Sequence, residues 1–222
     1  MATRISPRQP RRRRTRLNPR RQPRQNRSCV TVEAVLEASA QVFEEEGYGG
    51  ATTNRIAERA GVSIGTLYQY YPSKEALAVA LLMRHLEAGQ RLVAEVTAEL
   101  AVRPRDLRST LRLFVDAMMS LHADRPRLQH LLLEEAPRPP HVEAEMARLD
   151  EGAVEAVNAL LPRFHEVRRT ADRSTAYMLV QTIELLSHGF AAHPPRGVSR
   201  AVFANELVSM LLAYLTNSSP RQ

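Results

Sequence analysis

The chain has 222 residues, 44% hydrophobic and 25% charged, and a formal charge of +7. That length supports a full hydrophobic core, which excludes a peptide or mini-scaffold. A lone cysteine, Cys29, excludes an internal disulfide framework or a Cys-rich zinc module, and neither a signal peptide nor an apolar run of about 18 residues is present, so the expectation is a cytoplasmic protein without a membrane partner.

Residues 1–27 hold eleven arginines, four prolines and no acidic residue. Such a segment buries too little apolar area to offset its ordering entropy and reads as a disordered tail. Arg-rich arms bind nucleic acid through phosphate charge and minor-groove insertion, and Arg11, Arg12, Arg13 and Arg14 are the candidate accessory contacts. A dispensable extension is the competing reading. The tail carries all the excess charge. Residues 28–75 set three cations against seven glutamates, and residues 76–222 balance at 17 against 17.

From Thr31 onward the pattern is helical. Val32, Val35, Leu36, Ser39, Ala40 and Phe43 form a stripe at helical spacing, with Thr31 as the expected start and Gly47 as the expected end. Two short segments follow, Asn54 to Ala60 and Ser63 to Tyr70. Ser73 then caps a long helix reaching about Leu100. Further helices are predicted at about 105–122, 124–135, 140–161, 172–192 and 199–216, punctuated by prolines. No period-2 run supports a sheet. The fold class is all-α, with about nine helices.

The informative stretch runs from Thr52 to Tyr71. Two short helices joined by a tight turn cross steeply, so the contact needs a small residue and the turn one able to take positive φ. Ala57 and Gly61 supply these. Ile56, Ala60, Val62 and Leu67 form the apolar set that locks the second helix down, which leaves Ser63, Ile64, Gly65, Thr66, Tyr68 and Gln69 to project outward. In a helix-turn-helix the second helix enters the DNA major groove.

These residues also resemble the TetR-type (tetracycline-repressor-like, TetR/AcrR) bacterial transcriptional regulators. The resemblance covers about Val32 to Leu77: Phe43 with Gly47-Tyr48, Thr52-Thr53 with Ile56-Ala57, Ala60 to Ser63, Gly65 to Tyr68, Tyr70-Tyr71, and Ser73 to Glu75 with Leu77. Tyr71 stands where the family usually has Phe. The resemblance implies a three-helix DNA-binding domain at residues 28–75 and an effector-binding, dimerisation domain at 76–222. It also implies operator DNA, a second copy of the chain and a small-molecule effector as partners, with no cofactor and no enzymatic activity.

Residue roles rest on geometry and resemblance together. Thr53 is expected to cap its helix and donate to a phosphate at the positive helix end. Thr66, Tyr70 and Lys74, the only lysine, match positions that usually touch the phosphate backbone. Ser63, Ile64, Gly65, Tyr68 and Asn54 are the candidates for base-edge contact. Structural roles compete at some of these: a cap at Thr53, half-core packing at Tyr70, a stray exposed apolar group at Ile64.

Gly61-Val62-Ser63-Ile64-Gly65 matches the G-x-S-x-G pattern of hydrolase nucleophile elbows, but that motif needs a preceding strand, and Ile56 to Ala60 reads as helix. The seven histidines show no H-x-x-x-H pair or His/Cys cluster, so no metal site is expected.

In the helix predicted at 172–192, Ala176, Leu179, Val180, Ile183, Leu186, Ser187 and Phe190 form one stripe, while Met178, Thr182, Leu185 and Gly189 leave the other side hardly charged; its companion at 199–216 carries Val202, Phe203, Leu207, Val208, Leu211, Leu212 and Leu215. A helix apolar on two sides needs two burial partners, one of them expected to be another subunit. Phe114, Met118, His122, Tyr177 and Gln181 are the candidates for lining an effector pocket.

Overall fold

The computed structural model describes residues 26–217, and the Arg11 to Arg14 assignment lies outside them. The described residues form α1 (Asn26–Gly50), α2 (Thr53–Arg59), α3 (Ile64–Tyr70), α4 (Lys74–Val102), α5 (Leu107–Ala123), α6 (Pro126–Glu134), α7 (Pro140–Leu160), a 3-10 turn (Leu161–Arg163), α8 (Arg173–Ala192) and α9 (Arg200–Thr216). All nine predicted helices are present within a few residues of their expected bounds.

Two capping assignments need correction. Thr31 does not start the first helix, which runs back to Asn26 and places Thr31 inside it. Thr53 does not cap α2; Thr52 does, accepting from the Arg55 backbone amide, and Thr53 is the first helical residue. Ser and Thr both cap well, so two adjacent threonines leave the register open by one. Gly47 breaks α1 as expected, with φ 71° and ψ 167°. Ser63 and Ser73 cap α3 and α4 through the amides of Thr66 and Ala76, and Asp106, Asp172 and Ser199 do the same for α5, α8 and α9.

Two apolar cores result. The first joins α1, α2, α3 and the start of α4, with Val35, Phe43, Ile56, Leu67, Leu77 and Leu82 at its centre, and it continues into α6 through Leu128, Leu131 and Leu132. The second joins α5, α8 and α9 through Val115, Met119, Leu179, Leu207, Leu211 and Leu215. The N-terminal helices therefore share their core with a helix of the C-terminal region.

The α5–α6 connection carries backbone strain. Arg125 sits at φ 52°, the single positive φ outside glycine among the described residues. Pro126 follows it, and a proline disfavours the right-handed helical region for the residue before it. The Arg125 guanidinium pays back part of this cost by pairing with Glu37 and reaching Glu44 at 4.0 Å, both on α1.

Candidate nucleic-acid interface

The helix pair Thr53–Arg59 and Ile64–Tyr70 is built around a buried pivot. Ile56, Ala57 and Leu67 are buried, and Gly61 turns the chain at φ 65°, a value a β-carbon would oppose. The Val62 amide donates to the Ala57 carbonyl at 3.0 Å, closing the turn. With Leu67 held inward, the helical period puts Ile64 and Tyr68 on the outer face, 37% and 39% exposed. Ser63 and Gly65 are exposed beside them, as is Asn54 on α2.

Several predicted contact residues meet. The Thr53 hydroxyl lies 3.0 Å from the Tyr68 phenol oxygen, so the start of α2 and the outer face of α3 form one polar surface. The Ser63 hydroxyl accepts from the Thr66 amide at 3.1 Å and lies 2.8 Å from the Thr66 hydroxyl. This capping role explains why Ser63, inside a G-x-S-x-G string, is no nucleophile elbow: a helix, not a strand, precedes it. Tyr70 is half-buried against the first core, while Ile64 faces solvent.

Lys74 has an internal role that the sequence reading missed. Its ammonium donates to the Tyr48 carbonyl at 2.6 Å and stands 4.6 Å from the centre of the Tyr48 ring, which ties the start of α4 to the turn after Gly47. The other cations of the pair are occupied too. Arg55 bonds Glu46 and Arg59 forms a two-pronged pair with Glu45 at 2.5 and 2.6 Å. The pairs hold the Glu45 carboxyl below the ordinary carboxylate range, chiefly through the Arg59 hydrogen bond. The surface therefore presents hydroxyls, an amide and two apolar groups in place of free positive charge.

In the C-terminal region the polar residues gather between the two cores. Although the sequence holds no H-x-x-x-H pair, five of the seven histidines come together in space from α4, α5, α6 and the end of α8. His85 and His122 rings are 5.5 Å apart, His122 and His188 5.3 Å, His130 and His188 6.2 Å, and His130 and His193 5.2 Å. One signal was available, His130-x-x-x-Glu134, which places two ligand-type side chains on one helix face.

His122 is fully buried. Gln129 spends its amide nitrogen on the carbonyls of Leu121 and Asp124 at 2.8 and 2.5 Å, so its oxygen accepts from His122 Nδ1 at 3.0 Å. Nδ1 thus carries a proton, and Nε2 faces Glu184 Oε1 at 3.1 Å as an ion pair without good hydrogen-bond alignment. Burial opposes protonation of His122, but Glu184 and Gln129 outweigh it and raise its pKa. Burial and the neighbouring His122 push His85 down to about 4.

Of the five predicted pocket residues, His122 is in this polar layer, and Gln181 is partly buried on α8. Phe114 and Met118 are partly buried on α5. Tyr177 does not join them, being 53% exposed on α8 with Met178, Leu185 and Leu186. Leu186 thereby departs from the buried stripe expected for it. An open groove of about 390 Å³ lies elsewhere, between α5 and α9, lined by Arg108, Arg112, Asp116 and Asn205.

Comparison with known proteins accounts for both halves. The family of bacterial regulatory proteins of the tetR type matches residues 35–81, and the tetracyclin repressor-like C-terminal domain matches residues 106–215. The HTH-type transcriptional activator FasR of Mycolicibacterium smegmatis is 34% identical over 130 residues, 58% of this chain and 58% of its own length. The HTH-type transcriptional repressor KstR of the same species is 42% identical over 53 residues, 24% of this chain and 26% of its own. The chain thus spans less than two thirds of the length of these relatives. Among solved structures, the regulator FadR from Bacillus subtilis in complex with stearoyl-CoA shares the fold, with a TM-score of 0.61 and 19% identity over 82% of this chain and 98% of its own.

Proposed function

Because the chain belongs to the TetR family of bacterial regulatory proteins, with a helix-turn-helix DNA-binding unit and an effector-domain class C-terminal half, we propose that it is a dimeric, ligand-released repressor of a palindromic operator. The observation that carries the reading is the outer face of α3. Leu67 is wholly buried, and Ser63, Ile64, Gly65 and Tyr68 are left exposed on the helix that a major groove would receive. Asn54 and Thr53 extend this face from α2, and Thr66, Tyr70 and Lys74 flank it as phosphate contacts. With Arg55 and Arg59 paired internally, binding depends on directed hydrogen bonds and on added charge from Arg11 to Arg14.

A second copy is supported by α8 and α9, which expose Tyr177, Met178, Leu185, Val202 and Met210 after their other faces are buried. Two such faces packed together make a four-helix dimer with two-fold symmetry, matching paired half-sites. The effector would act between the cores, at His122 in the polar layer with the partly buried Phe114, Met118 and Gln181 as further lining; FadR, of the same fold, holds stearoyl-CoA. An effector that fits one spacing of the two DNA-binding units better than the other shifts the population away from the DNA-competent state. Such a protein works in the bacterial cytoplasm.

The similarity to FasR, an activator, favours a second reading in which the same binding upstream of a promoter recruits transcription. Selection of bound sequences from random DNA, followed by in vitro transcription from a promoter carrying the selected site, tests both. The proposal expects a two-fold symmetric site and transcription that falls when protein is added. A rise in transcription replaces repressor by activator. Binding without sequence preference, with a steep salt dependence that vanishes when residues 1–27 are removed, supports instead a nonspecific nucleic-acid-binding protein.

A further inference from the structure

The histidine layer contains a set of side chains that packing does not explain. His130 and Glu134 lie one turn apart on α6 and leave the same helix face. His188 on α8 stands opposite, and one ligand atom from each of the three lies within 4.8 Å of the others. Among the described residues, no hydrogen bond or ion pair is formed between any two of the three. His193, which ends α8, sets its ring edge-on to His130 at 5.2 Å.

We propose that His130, Glu134 and His188 bind a divalent transition-metal ion of the zinc, cobalt and nickel class. Two imidazoles and one carboxylate suit these borderline ions, whereas calcium and magnesium demand shells of oxygen. A tetrahedral ion with bonds of about 2.0–2.1 Å sets its ligand atoms roughly 3.4 Å apart, so side-chain rotation of order 1 Å closes the set. A neutral imidazole offers a nitrogen lone pair to such an ion, and a carboxylate adds the charge it lacks. Glu134 is exposed and gives the ion a way in from solvent.

The site joins two elements with different duties. α6 sends Leu128, Leu131 and Leu132 into the core it shares with α1, and α8 belongs to the second core. An ion bridging them fixes the position of the helix on which α1 rests. Metal control of DNA binding follows from this bridge and rests on the function proposed above; the metal site itself does not.

The test uses the full chain, stripped with EDTA and titrated with Co(II). The expected result is one equivalent per chain with the visible bands of a non-octahedral, histidine-ligated ion, displaced by Zn(II). His130→Ala and His188→Ala should each weaken Zn(II), measured against a chromophoric chelator, by at least about tenfold, while His165→Ala, at a solvent-exposed site, changes nothing. Should an alanine variant not fold by circular dichroism, Glu134→Gln, at an exposed position, takes its place with the same expected weakening. No saturable Co(II) spectrum, or one that survives these substitutions, overturns the site. DNA affinity is then compared with and without Zn(II) on the selected operator. A change of about tenfold or more that is lost in the variants supports the bridge; unchanged affinity with metal bound overturns the control step alone. If no operator binding occurs in either state, the proposed function fails and the Co(II) spectrum still decides the site.

Discussion

Gly65 separates the needs of the fold from those of the interface. It is the second residue of α3, and a β-carbon built there would meet only the Ser63 hydroxyl oxygen, at 3.8 Å, an ordinary van der Waals contact. Gly65→Ala therefore adds a methyl without a clash in the free protein. Helix propensity favours alanine by roughly 0.5–1 kcal/mol, and a position in the first turn of a short helix takes the lower part of that range. The variant should melt at the same temperature or slightly above. Against DNA the sign reverses. If the first turn of α3 lies along the edges of base pairs, the added methyl stands where a base or phosphate must approach, and overpacking of that kind costs about 1–3 kcal/mol. Operator affinity should fall by about five- to 150-fold, since each 1.4 kcal/mol is a factor of ten. Thermal melts and fluorescence anisotropy on the selected operator, at one salt concentration, measure the two effects on the same sample. A variant that is as stable as the parent and binds within about twofold of it would refute the placement of Ser63 to Thr66 against the bases.

Leu67→Ala removes the pivot of α3 and should cost about 2–5 kcal/mol in urea unfolding, with operator binding lost as α3 detaches. Leu185→Glu charges an α8 face that is 64% exposed in one chain, so sedimentation should show a folded monomer with weakened operator binding. Acidification should destabilise the protein through His85: the unfolded chain takes up its proton near 6.5 and the folded one only near 4, so the unfolded state binds more protons between those values and stability falls as pH drops. Integrated from pH 7.5 to 5, this amounts to about 2 kcal/mol, and the loss should be that much smaller in His85→Asn when the two are compared in EDTA.

The parts of this molecule that are local in sequence were readable there. Gly61 between Ala60 and Val62 announces its positive φ, and Ser63 and Ser73 announce their caps, because a turn or a cap is decided within about four residues. The errors fall where local signals tie or run out. Thr52 and Thr53 compete for one cap, and Thr31 has capping chemistry but sits in a helix that begins earlier. The engagement of Lys74 by the Tyr48 carbonyl spans 26 residues, and nothing in the motif marks it. The histidine layer is the extreme case. His85, His122, His130 and His188 come from four helices, so their meeting follows from packing that no spacing rule contains, and only the His130-Glu134 pair left a trace.

The same packing shows how a signal in the interior can reach α3 without a hinge between two independent bodies. α6 is a short helix with a division of labour. Leu128, Leu131 and Leu132 are buried with Val35 and Phe43 of α1, while Gln129 holds His122 and His130 meets His188. Its first turn is also the point where Arg125 accepts a left-handed backbone in order to reach Glu37 and Glu44. Close-packed interiors answer a displacement by repacking as a unit, not by yielding locally. Any ligand that changes the fit between α6 and α8 must therefore move α6 against α1 or strain the Arg125 link. Because α1 packs directly on α2, and α2 carries α3 through the Thr53 and Tyr68 contact, either response alters the angle at which the recognition surface is offered.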